Sequence, residues 1–459
     1  MRALERKIKS MEYITREPEL RHLKVLYVIY AFLFITDFLM PQYFGIHIGY
    51  DITCTRLANM VFVLYALMNP KLLTHFLKTS LGCAMLPALL IYLCVAGYTM
   101  IFRVDLNAFF LVFFEMFTLL MLIYGVRYVL GYRKAIKWSI TCAYILSVYG
   151  LIEFIYGRSI MLEFLATVPT PVRNSYRSGH YRIMGPCGHP LGYGLLLLLF
   201  IGLACIDEKK DEINLFKRPA LIGLLLINVF LTGSRSTLGI ALAEMGLILV
   251  CSNYRNIQKS LMMLIGFVVF FALFLLLFQG TGIGRYILMQ VTSVLDQVFG
   301  TEWSAQFGAD IQTLSNSEEY RKYLPRIFTL DWLNPLVGRG VKRGFGAEFD
   351  GVYISSVDNY YICQYIKYAY PGLISYLAFM ISSFASMIWG IIKYKTPIFK
   401  IALIASGCYY LNLWWMDALQ TLKYEYIVLA IFYAVLLAKK DETKRRKEES
   451  DSAKELEVV

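Results

Sequence analysis

Charged residues are scarce in this sequence: 17% of its 459 residues are Asp, Glu, Lys or Arg, while 58% are hydrophobic. Soluble domains carry about 25% charged residues, so this composition, with a mean hydropathy of +0.55, excludes an ordinary soluble protein and points into lipid. No polar segment is long enough to form a separate soluble domain, and one membrane domain is expected. The nine cysteines and five histidines form no CxxC pair, Cys/His cluster or H-E-x-x-H pattern. No disulfide framework, structural metal or cofactor is expected. No G-x-S-x-G nucleophile elbow occurs. The segment G-R-G-V-K-R-G at 338–344 lacks the GKS/T ending and the G-x-G-x-x-G spacing of phosphate loops, so a nucleotide site is rejected.

What the chain has instead is a series of apolar runs. They predict helices at 24–40, 55–68, 80–101, 107–126, 137–156, 188–206, 218–233, 236–252, 260–278, 360–392, 400–416 and 424–438, because a span needs about 20 mostly apolar residues. The expected fold class is all-α, a polytopic integral membrane protein with about twelve transmembrane helices. Residues 1–24 are too charged for a signal peptide and read as a cytoplasmic lead-in. Residues 25–438 form the transmembrane domain, and 439–459 a charged cytoplasmic tail.

The net charge of +12 fits a positive cytoplasmic membrane face better than nucleic-acid binding. With the N-terminus inside, 19 of 23 lysines fall in inside segments but only 10 of 22 arginines do. Arginine thus resists the positive-inside trend. Its planar fork grips phosphate or carboxylate with two prongs, so an outer surface rich in Arg suggests an anionic ligand there. Snorkelling at the interface is the plain alternative.

Two long outer loops are expected, about 157–187 and 279–358, the second with short helices near 285–299 and 317–329. Loops this long are functional or disordered, and Trp303, Phe307, Tyr320, Trp332 and Phe345 argue against disorder. Three motifs could carry chemistry. The first is R-I-M-G-P, with Arg182, followed by His189 and Pro190 at an irregular turn whose free N–H groups suit an anion. Pairing of Arg182 with a lipid headgroup or with Glu163 is the alternative. The second is T-G-S-R-S at 232–236, where Arg235 sits at a helix start and Ser234 or Ser236 caps it. The third is D-N-Y-Y at 358–361. Asp358 is placed for general-base work and Asn359 to orient it or bond a sugar; capping of the next helix is equally open.

R-x-x-G-x-x-x-x-P-x-G at 182–192, T-G-S-R-S at 232–236, N-P-L-V-G-R-G at 334–340 and D-N-Y-Y-I at 358–362 together resemble the O-antigen ligase/polymerase superfamily over roughly residues 180–390. The resemblance implies a GT-C-like, metal-independent glycosyltransferase of the bacterial cytoplasmic membrane with both termini cytoplasmic. Its substrates would be polyprenyl-diphosphate-linked glycan donor and acceptor, and its partners the lipid bilayer, a flippase and chain-length regulator proteins. The superfamily's ligases commonly have histidine before the Asn of the third motif, where this chain has Asp358. A polymerase of capsule, exopolysaccharide or O-antigen repeats is therefore expected ahead of a ligase. Arg182, Arg235 and Asp358 would be catalytic; Arg173, Arg177, His180, His189, Asn359 and Tyr360 would bind substrate. A flippase is the alternative outside the enzyme class, with Glu115, Glu153 and Glu244 as candidate membrane acids.

Overall fold

The computed structural model describes residues 23–48, 50–168, 174–177, 179–309, 320–342, 344–417 and 422–457. The chain is mostly helical, at 73%. It opens with α1 (Leu23–Phe38), a hairpin of β1 (Gly45–His47) and β2 (Asp51–Thr53), then α2 (Cys54–Leu67), α3 (Pro70–Leu81), α4 (Leu86–Arg103), α5 (Leu106–Gly125) and α6 (Tyr132–Tyr156). A short α7 (Ile160–Leu165) leads to the hairpin β3 (Ser175–Arg177) and β4 (His180–Arg182), followed by α8 (Pro190–Ala204). After the small hairpin β5 (Ile206–Asp207) and β6 (Glu212–Ile213) come α9 (Pro219–Leu231), α10 (Arg235–Val250), α11 (Tyr254–Phe278) and α12 (Gly282–Phe299). The hairpin β7 (Ala347–Phe349) and β8 (Val352–Ile354) precedes α13 (Tyr360–Tyr394), α14 (Pro397–Asn412) and α15 (Leu422–Glu457).

Each of the twelve apolar runs is a helix, but helix and span are different statements. Five helices among the described residues are long and apolar enough to cross a membrane, and six if α2 and α3, bent by 118°, count as one broken span. Most of the others fall short of the roughly 20 residues a span requires; α8 has 15 and α9 has 13, whereas α15 has 36 but ends in a charged stretch. Proline sets their starts, at Pro190 and Pro219, since it is tolerated in the first turn and nowhere deeper. Helix α3 falls where the sequence predicts a loop, because its polar face of Lys71, His75 and Lys78 hides a buried stripe of Leu72, Phe76 and Thr79.

At the centre lies α8. Nearly every residue from Pro190 to Ala204 is buried, as an all-round apolar helix demands. It packs against α14, α10, α9, α6 and α15. The segment Tyr424–Leu436 of α15 is equally buried and lies along α5.

Helix α13 breaks at Ala369, whose φ is +58°. Pro371 has no N–H to give the Lys367 carbonyl one turn back. The N–H of Gly340 fills that gap at 3.0 Å, and the N–H of Arg339 donates to the Ile366 carbonyl at 2.8 Å. The loop strap 334–342 is thus hydrogen-bonded into the kink. From the other side Arg103 donates to the carbonyls of Gly338 (2.6 Å) and Val337 (3.0 Å). Asp105 accepts from the N–H groups of Val341 (2.7 Å) and Lys342 (3.0 Å).

Candidate functional site

The first two arginine motifs are far apart in sequence and adjacent in space. Arg182 ends β4, and its Nε donates to the Thr232 carbonyl at 2.7 Å. The Ile183 N–H donates to the Leu231 carbonyl at 3.3 Å. These bonds place the Arg182 side chain against Gly233. A Cβ on Gly233 would lie 3.1 Å from the Arg182 Nε, and its φ of +61° also favours glycine. Arg177 reaches the same glycine, with Nη1 3.5 Å from the Gly233 carbonyl. Pairing of Arg177 with His180 and Ser175 with Arg182 sets Arg177, His180 and Arg182 on one face of the hairpin, because cross-strand partners share a face.

The other face anchors the hairpin. Tyr181 donates to Glu153 Oε1 at 2.6 Å, and the N–H groups of Met184 (3.0 Å) and Gly185 (2.9 Å) also donate to that carboxylate. Glu153 is one of the candidate membrane acids, and it is fully buried. Its three hydrogen bonds fix the turn that aims Arg182. The sequence does not signal this role, since Glu153 stands 31 residues from Met184 in the turn it holds.

Arg235 is the first residue of α10, capped by Ser234, whose Oγ accepts from the Thr237 N–H. Its Nη1 lies 3.5 Å from the Ser293 carbonyl of α12. The same wall of α12 carries Tyr286, whose ring centre lies 4.4 Å from that of His180 and whose hydroxyl feels the charges of Arg182 and Arg177. The α10 dipole adds positive potential at its N-terminus.

Arg182 is 9% exposed, and among the described residues no carboxylate forms an ion pair with it. Glu163 bonds Arg158 at 3.0 Å instead. Burial pulls the Arg182 guanidinium down to about 10 from its ordinary value. His189 is the N-cap of α8; its Nδ1 accepts from the Leu191 N–H at 3.2 Å, so the neutral ring carries its proton on Nε2. Burial, then the nearby Arg182 charge, lower it to about 4, against the opposing pull of Asp358. His189 therefore lies within electrostatic reach of both the first motif and the third.

Asp358 is held by the Tyr320 hydroxyl, by Ser356 Oγ at 3.3 Å and by Arg321 at 3.4 Å. Burial, followed by the hydrogen bond to that carboxylate, pushes the Tyr320 phenol up, so it remains the donor. Tyr320 and Arg321 are partners that sequence spacing did not suggest. Asn359, not Asp358, caps α13: its Oδ1 accepts from the Ile362 N–H at 3.0 Å and its Nδ2 donates to the Trp414 carbonyl at 2.9 Å. Both ends of that amide are occupied. Tyr360 is 3% exposed and packs on Tyr376 at 5.3 Å, inside the helix bundle. Arg173 lies outside the described residues.

The fold and site thus define a mostly helical protein with, among the described residues, five or six helices long and apolar enough to cross a membrane, and a group of three arginines of which Arg182 is buried. No protein-family model matches the sequence, and no curated protein matches it either.

Proposed function

We propose that this protein is a membrane glycosyltransferase that polymerises polyprenyl-diphosphate-linked repeat units on the outer face of a bacterial cytoplasmic membrane. The single observation that supports this most is the convergence of Arg177, Arg182 and Arg235 around Gly233 and Ser293, with Arg182 buried and unmatched by a carboxylate among the described residues. A desolvated cation beside a helix N-terminus is unfavourable until an anion arrives. A lipid diphosphate at a membrane boundary has the right charge and place.

In the reaction, an acceptor sugar hydroxyl attacks the anomeric carbon of the donor. The carbon–oxygen bond to the diphosphate breaks, the electron pair leaves with the polyprenyl diphosphate, and the hydroxyl proton passes to Asp358. Arg182 and Arg235 stabilise the charge growing on the leaving diphosphate. His189 keeps the site uncharged between them and Asp358 while offering an Nε2–H. On this reading the twelve helices form a GT-C-like membrane domain with both termini cytoplasmic.

Arg235→Lys keeps the charge and loses the fork. The expected result is short or absent polymer in cells at equal protein level; unchanged polymer length and yield overturn the reading. A knockout separates the alternatives: single repeat units on the outer leaflet mean a polymerase, on the inner leaflet a flippase, and long unattached polymer a ligase.

A further inference from the structure

A cleft with a cavity volume of about 60 Å³ lies between α1, α2, α5 and α15. Arg56, Glu115, Lys423, Thr55, Thr118 and Tyr426 are among its lining residues. Glu115 is nine residues into α5, which at 1.5 Å per residue puts it roughly 14 Å below the helix start. It is only partly buried because it faces the cleft, and among the described residues no side chain hydrogen-bonds its carboxylate.

The charges here balance, unlike those around Arg182. Lys423 Nζ lies 4.0 Å from Asp37 Oδ1 and donates to the Thr36 carbonyl at 3.4 Å. Arg56 donates to the Asp51 carbonyl and covers the Tyr50 ring at 4.4 Å. Arg56 is also among the cations that act on Glu115. Two cations meet two acids, so an anion gains little net attraction.

The hydroxyls are set to accept. Thr36, Thr55 and Thr118 donate to the carbonyls of Leu33 (3.0 Å), Thr36 (3.4 Å) and Phe114 (2.7 Å). Thr118 Oγ1 also accepts from Asn59 Nδ2 at 2.6 Å, while the lone pairs of Thr36 and Thr55 remain; Arg56 and Lys423 supply donors, and Phe114 and Tyr426 supply aromatic walls. Dense donors and acceptors around apolar faces match a polyol.

From this lining we infer that the cleft binds a neutral sugar. Resting on the polymerase reading, that sugar belongs to a lipid-linked glycan and is not the unit that reacts, because neither Arg182, Arg235 nor Asp358 lines the cleft. Next to the cleft residue Lys423, the Tyr424 hydroxyl accepts from the Cys187 thiol at 3.5 Å. Binding a sugar remote from the bond being made is a way to hold the glycan in register for reaction.

Cys54 lines the cleft and is partly exposed, which supplies a reporter. The protein in lipid nanodiscs is treated with a water-soluble maleimide, and modification of the Cys54 peptide is followed by mass spectrometry. Glucose, galactose, N-acetylglucosamine and inorganic pyrophosphate are the probes. At least one neutral sugar is expected to slow modification severalfold, and pyrophosphate to leave it unchanged. Glu115→Gln and Arg56→Met should each abolish the protection while the sugar-free rate and the size-exclusion profile stay as in the wild type. A thiol that never reacts, protection by none of the sugars, protection that persists in both variants, or protection by pyrophosphate alone overturns the inference. If the sugars protect but Arg235→Lys leaves polymer intact, the sugar cleft stands and the polymerase reading falls.

Discussion

Two segments of this chain combine arginine with closely spaced glycines, and they do opposite things. In R-I-M-G-P-C-G-H-P at 182–190, the guanidinium of Arg182 is buried against Gly233 and has no carboxylate partner among the described residues. In G-R-G-V-K-R-G at 338–344, Arg339 stacks on Trp332 at 4.7 Å and donates to the Gly344 carbonyl at 3.0 Å, while the glycines let the strap approach α13. A Cβ on Gly338 would lie 2.0 Å from the Lys367 carbonyl oxygen. The first segment spends its glycines on bringing a cation to a site; the second spends them on closing a broken helix. Composition does not separate the two roles, whereas burial and the identity of the neighbour do.

That contrast breaks first at Arg182. Arg182→Lys should lower the rate of polymer formation on the order of 10²–10³-fold, the loss typical of a transition-state donor, with thermal unfolding little changed. An equal loss of folded protein would move Arg182 into the same structural class as the strap. Gly338→Ala should show the reverse: overpacking against backbone costs on the order of 1–3 kcal/mol. The expected outcome is a lower Tm in detergent and faster proteolysis within 279–358. Unchanged stability would mean that the strap does not support the kink.

Helix positions were legible in the sequence because apolar runs report burial directly, but α3 was not, since its stripe of Leu72 and Phe76 is diluted by Lys71, His75 and Lys78. Span number was not legible either: an apolar run such as 218–233 can become a 13-residue helix inside the bundle. At the site, sequence order pointed to Arg182 and Arg235. It was silent on their meeting through Thr232, a contact between residues 50 apart. It also offered cap and base as equal readings at 358–359. The structure gives the cap to Asn359 and leaves Asp358 with Tyr320 and Arg321, partners that a one-dimensional motif does not contain.

The comparison sharpens at His189, which sits beside the buried cation and is lowered to about 4. The unfolded chain binds a proton at the ordinary value near 6.5 and the folded chain does not, so stability rises with pH across the window from about 4 to 6.5. Above that window the term is fully present, and below it about 3 kcal/mol is lost. Asparagine is a good N-cap, so His189→Asn should remove this slope while keeping α8 in place. The measurement is chemical unfolding of both proteins at several pH values between 4 and 7. Parallel curves would show that His189 takes up its proton at the same pH in the folded and the unfolded chain, contrary to its position beside Arg182.

The smallest effect is expected at Glu163, and it tests why Arg182 stands apart. Arg158 and Glu163 form an ion pair with side chains 57% and 27% exposed, and such surface pairs contribute about 0–1 kcal/mol. Glu163→Gln should therefore shift stability by less than about 1 kcal/mol and leave polymer length as it is. If Glu163 instead neutralised Arg182, its removal would strand a buried charge and act like a mutation at the arginine itself. A polymer defect in Glu163→Gln matching that of Arg182→Lys would thus return Arg182 to an ordinary salt bridge and remove the main argument for a bound anion.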